Sequence, residues 1–223
     1  METKLSSAAD QCLQDGRLRL PALARAVIDR AGQRMAFASR VDFDVGRSAG
    51  TRNAGAALLN ARRSLAEVYV REMERSLDQP EDVAAAPPYA GTVDIWLDEG
   101  LAERLDLAHL RDAAEIACRS EQIEFEALFS GACGEHVVRE GSPLRLEAHA
   151  LCLATAFRSI PVRRAVRDAW FTHVGEALGI ELGAFYTSLG RVLQRGGAKE
   201  AQFAPPYVGG RRFVSWGPVV KRA

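Results

Sequence analysis

The sequence predicts an all-α protein, a bundle of about seven or eight helices with a Pro-rich hinge and an irregular C-terminal tail. Three observations carry this. Apolar residues recur every three or four positions through most of the chain, the spacing of one face of a helix. Glycine and proline sit where those stripes end, at Gly16, Pro21, Pro80, Pro161, Gly179 and Gly196-Gly197. And 223 residues, 48% hydrophobic and 26% charged, are enough to bury a core yet ordinary for a globular chain.

From Ser6, Ala9, Cys12 and Leu13 open the first stripe, which Gly16 and Pro21 interrupt. Pro21 suits the first turn of a second helix, where its missing N–H costs little. That helix carries Leu23, Val27, Ile28, Ala31 and Met35. Residues 39–53 hold Asp, Asn and Gly without a stripe, and read as a loop. Residues 54–78 predict one helix, with Leu58, Leu65, Tyr69 and Leu77 inside. Gln79-Pro80 ends it, and the uncharged Ala/Pro stretch 84–91 reads as a linker.

Beyond the linker, helices are expected at 92–104, 107–119, 121–133 and 145–158. Another starts at Pro161, with Val162, Val166, Trp170, Val174 and Leu178 inside, and stops at Gly179. A last helix at 180–195 ends at Gly196-Gly197. The expected organisation is an N-terminal helical unit at 1–83, the linker at 84–91, a C-terminal helical unit at 92–197, and a basic, aromatic tail at 198–223. In that tail Arg212–Trp216 has the character of a single strand, which needs a partner.

Charge is balanced overall, at 29 basic and 29 acidic residues, but not along the chain. Residues 80–157 are strongly acidic, while 158–223 are basic. Such blocks attract within a chain or between two chains. Arg greatly outnumbers Lys, a bias that fits a GC-rich bacterial genome before it fits phosphate recognition. Residues 1–20 are interrupted by charges and hold no apolar leader core, and no run is long enough to span a bilayer. Cys12, Cys118, Cys133 and Cys152 follow no disulfide spacing. The expectation is a cytoplasmic protein with reduced thiols and no membrane association.

Motifs of the common hydrolases, kinases and dehydrogenases are absent from the sequence, which leans away from an enzyme. One spacing does suit a metal. Cys133-Gly-Glu-His136 and His149-Ala-Leu-Cys152 form C-x2-H and H-x2-C pairs flanking a turn. Two close pairs on facing elements are the usual way to give zinc four N/S ligands. The alternative is that Cys133 and Cys152 are small buried hydrophobes and that His149 faces solvent beside Glu147. His173, on an apolar stripe, reads as a boundary histidine. Asp94 and Asp98 read as helix-start carboxylates favoured by the macrodipole.

Two basic sets suit anions. Arg191 and Arg195 stand four apart, the first half of a cyclic-dinucleotide receptor pattern. Arg211 and Arg212, with Tyr207, Phe213 and Trp216, mix cations with aromatic rings as nucleic-acid binders do.

Several segments in order carry a family resemblance: TVDIWLDEGLAERLDL, FEALFSGACGEH, SPLRLEAHALCLATAF, VRRAVRDAWFTHV and LGAFYTSLGRVLQRGG. Across residues 92–205 the chain resembles the proteobacterial domain-of-unknown-function family numbered 1631. Ser142 and Leu146 depart from that family's pattern, and no N-Q-R follows Phe129. The resemblance implies a helical fold and matches Cys152 and His173 to recurrent family positions. It implies no activity and no cofactor.

The functional expectation is a non-enzymatic bacterial regulator or adaptor, working through a protein partner or self-association and without a cofactor. The alternatives are zinc binding through Cys133, His136, His149 and Cys152, and nucleotide or nucleic-acid binding through Arg191, Arg195, Arg211 and Arg212.

Overall fold

The computed structural model describes residues 7–42, 44–78, 99–138 and 142–203, and the backbone alone for 99–103, 207–208 and 211–212. The expected linker at 84–91, the carboxylates Asp94 and Asp98, and most of the tail lie outside the described residues. Six helices lie among them: α1 (Ser7–Val41), α2 (Val45–Asn60), α3 (Arg62–Asp78), α4 (Glu99–Ala132), α5 (Leu146–Ser159) and α6 (Arg164–Arg195). The protein is all-α. A two-residue antiparallel pair, β1 (Tyr207–Val208) with β2 (Arg211–Arg212), sets Tyr207 opposite Arg212.

Among the described residues several predicted stops do not stop anything, so expected neighbours merge into longer helices. Helix α1 runs through Gly16 and Pro21. Proline inside a helix costs about 3 kcal/mol. The apolar positions Ala9, Cys12, Gly16, Leu20, Leu23, Val27, Ala31 and Met35 stay in phase across it, and all are buried. Packing therefore holds the two halves on one axis. The expected helices at 107–119 and 121–133 are likewise one, and α6 passes straight through Gly179.

Two corrections go the other way. The stretch read as a loop at 39–53 is mostly helical. Asp44 caps α2 by accepting from the Arg47 backbone N–H at 3.0 Å, so the turn shrinks to a few residues. The single helix expected at 54–78 bends at Ala61, which ends α2 just before α3 begins. The bend lets α2 lie on α1 and α6 while α3 turns to α1 and α5.

Helix α6 is the axis of the molecule. It is covered by α4 along much of its length and by α1, α2 and α5 elsewhere. Trp170, Phe171, Leu178, Leu182, Phe185, Tyr186 and Leu189 are all buried, on more than one side of the helix. A helix apolar nearly all round has to be enclosed. Trp170 ties α6 to α2 by donating from Nε1 to the Ala54 carbonyl at 2.9 Å. Helices on both sides of residues 79–98 share this one core.

Ion pairs edge the α1–α6 contact. Arg30 meets Glu181 at 2.5 Å, and Arg34 holds Glu176 with two bonds. Arg17 reaches Asp78 at 2.6 Å across α1 and α3. The arginines of these pairs are partly exposed, and such surface contacts contribute about 0–1 kcal/mol each. They trim the register; burial makes the fold.

The ends of α4 and α6 finish alike. Gly134 and Gly197 adopt φ of 80° and 82°, a conformation that suits glycine. At each, the next residue's N–H bonds back five positions, Glu135 to Ser130 and Ala198 to Leu193. The two segments that follow then meet: Val138 donates to the Gln202 carbonyl, and Gln202 to the His136 carbonyl, both at 3.0 Å. The first residues of the expected irregular tail are thus pinned to the end of α4.

The α4–α6 contact depends on missing side chains. A Cβ at Gly175 would lie 2.7 Å from the Ala113 Cβ. One at Gly179 would run into the Ala114 carbonyl and lie 2.7 Å from the Ala117 Cβ. At Gly183 the nearest atoms stand 3.6 Å or more away. Gly179→Ala should therefore cost about 1–3 kcal/mol through forced separation of the helices. Gly183→Ala should be neutral, or stabilise by roughly 0.5–1 kcal/mol through helix propensity. Urea denaturation of the two variants checks the contrast, and equal effects would overturn this account of the contact.

Candidate functional site

Helix α5 lies against α3, α4 and α6 and turns His149 inward, where it is fully buried. The Tyr69 hydroxyl of α3 stands 2.5 Å from His149 Nδ1. With that hydroxyl donating, Nδ1 accepts and the ring proton sits on Nε2. Nε2 has no hydrogen-bond partner among the described residues. The Leu144 carbonyl favours a protonated ring, but the hydrogen bond it accepts comes from the Tyr186 hydroxyl, at 3.0 Å. Phe185 and Tyr186 set their rings edge-on to the imidazole at 5.7 and 6.4 Å.

Burial decides the charge state. It pushes the His149 pKa from 6.5 down to about 3, against the weaker pull of Leu144. The same burial lifts both tyrosines well above 10. The cluster is neutral at ordinary pH. Buried from solvent, it fixes α3, α5 and α6 in one arrangement.

The four residues with zinc spacing are not gathered in one place. Cys133 follows α4, half-buried, close to Asp10 and Cys12 of α1. His136 is exposed in the turn beyond it. His149 points at Tyr69 rather than at solvent beside Glu147, and Cys152 is buried near Glu72 and Arg75 of α3. Burial pushes the Cys152 thiol up to about 12, away from the thiolate that a metal binds. Among the described residues no group of three or more His, Cys, Asp or Glu side chains is placed to hold a metal ion. His173 is half-buried, and burial together with Arg34 lowers its pKa.

Arg191 and Arg195 are exposed one turn apart at the end of α6, where cations complement the helix dipole. Arg211 and Arg212 form the second strand of the small hairpin, and their side chains lie outside the described residues. His136 and Lys199 border an open cleft of about 660 Å³ between the start of α1, the end of α4 and residues 196–202.

Two exposed apolar surfaces escape a reading based on one stripe per helix. Phe37 (68% exposed), Val41 and Val45 (83%) gather at the α1–α2 corner. Phe37 lies two residues past buried Met35, about 200° around the helix, which is the signal that would have found it. On α4, Leu105, Ile116 (84% exposed) and Ile123 share a face turned away from α6. Ile116 likewise stands two residues past buried Ala114.

No family model, curated protein or solved structure matches the chain. Among the described residues no helix is long and apolar enough to cross a membrane.

The buried histidine makes a pH prediction. The unfolded chain protonates His149 below about 6.5, the folded chain only below about 3. Between these values the unfolded state binds the extra proton. His149's share of stability is thus complete above the upper value and declines as pH falls, by up to about 1.4 kcal/mol per pH unit. Replacing Tyr69 by Phe and His149 by Leu together removes the ring and its partner. Denaturant midpoints across this window should then fall less steeply than in the parent chain. An unchanged slope would remove His149 as the cause.

Proposed function

We propose that the chain is a non-enzymatic regulatory or adaptor protein of the bacterial cytoplasm, acting by protein–protein interaction. The observation that supports this most directly is the apolar corner of Phe37, Val41 and Val45. These side chains do not stabilise the fold where they stand, since they face water. Arg40, Asp42, Asp44 and Arg47 stand beside them in sequence with both signs of charge, and Arg47 lies near both aspartates. An apolar centre with a mixed polar rim is the anatomy of a protein interface. The corner is held firmly, by the Asp44 cap and by the Ser48 hydroxyl donating to the Ser39 carbonyl. A partner therefore meets a preformed surface.

A photo-reactive phenylalanine at position 37 tests this in bacterial cells. Discrete protein adducts are expected there, lost when Val45 is changed to Glu, and absent when the probe replaces exposed Thr172. Adducts no stronger at position 37 than at position 172 would sink the interaction reading.

A further inference from the structure

The outward face of α4 has a spacing of its own. Leu105, His109, Asp112, Ile116, Arg119 and Ile123 follow one another at steps of four, three, four, three and four. That is the seam of a coiled coil, and all six positions are exposed. The opposite face of the helix is already occupied, with Leu110, Ala114 and Cys118 buried. Among the described residues, helix α4 therefore has one face spent on the fold and one left exposed.

The free seam reads the same in both directions. Turned end for end against itself, it sets Leu105 level with Ile123, His109 with Arg119, and Asp112 with Ile116. Apolar pairs then close both ends, and Ile116 of each copy packs near the centre. Asp112 of one copy comes within one layer of Arg119 of the other, and symmetry makes that contact twice. A parallel pairing in register would stack Asp112 on Asp112 and Arg119 on Arg119, which disfavours it. Among the described residues Asp112 pairs with its neighbour Arg111, at 3.1 Å and largely exposed, so little is given up on pairing.

We propose that this face of α4 binds a second copy of the chain as an antiparallel two-helix seam. The inference rests on the reading of the chain as an interaction protein, and supplies one of its partners. It uses a surface separate from the Phe37 corner.

Sedimentation equilibrium of the full chain, with circular dichroism as a check on folding, tests it. The parent chain should be dimeric. Ile116→Glu should be monomeric with unchanged helix content. Asp112→Arg and Arg119→Asp should each weaken association by about tenfold or more, since the symmetry counts each repulsion twice. The double variant, carrying both exchanges, should recover association to within about threefold of the parent. A parent chain that stays monomeric up to about 100 µM would overturn the proposal. So would a double variant as weak as the single ones, or α4 amides protected by another part of a monomeric chain. In any of these cases adducts at position 37 would still stand, so loss of self-pairing is distinguishable from loss of the interaction reading.

Discussion

The closeness of α4 to α6 sets the terms for the rest of the molecule. Because Gly175 and Gly179 present only hydrogens, the backbone of α4 comes into direct contact with α6 near Leu110 and Ala114. Dispersion falls steeply with distance, so small residues at a crossing gain contact over a long stretch of both helices. With that side closed, the large residues of α6 point elsewhere. Trp170 and Phe171 pack against Phe157 of α5, and Tyr186 stacks on Phe125 farther along α4. Small residues on one flank and aromatic ones on the others make α6 an asymmetric axis with a distinct place for each neighbour.

A neutral polar cluster sits in this apolar setting. Tyr69, His149, Leu144 and Tyr186 come from α3, α5, the turn before α5, and α6. Each hydrogen bond among them is satisfied only in one relative placement of those elements. Among the described residues Nε2 has no hydrogen-bond partner, and an unsatisfied buried nitrogen costs about 1–3 kcal/mol. What the cluster supplies is discrimination against alternative packings, which Ala- and Leu-rich helices otherwise tolerate.

The helical class was legible because periodicity reflects burial directly. The α5 stripe Leu146, Ala150, Leu153 and Phe157 predicts that helix almost to its ends. Boundaries failed where a local rule met a tertiary one. Pro21 and Gly179 are breakers in isolation, but the first lies within a stripe that stays in phase and the second is required by a neighbouring backbone. Residues 45–53 read as a loop because Gly46 and Gly50 weaken a helix, while the Asp44 cap went unweighed. The site was less legible still. Sequence spacing placed Cys133, His136, His149 and Cys152 together, yet a three-residue spacing fixes neighbours along one helix and says nothing about which helix lies opposite. The exposed seam on α4 is regular, but it is interleaved with the buried one and carries polar residues at half its positions.

The contact between α1 and α6 has a consequence in time. Arg30 and Glu181, which edge it, are separated by 151 positions. At roughly 5–20 residues per second, a ribosome takes on the order of 8–30 s to make the stretch between them. Throughout that interval the part of α1 that packs on α6 lacks the helix that covers it. Helical proteins built from near-neighbour hairpins close their contacts early; this one places its axis last, and so its topology resembles the long-range pairing of slow-folding sheets. The nascent N-terminal helices must wait, apolar face open, for the element that completes them.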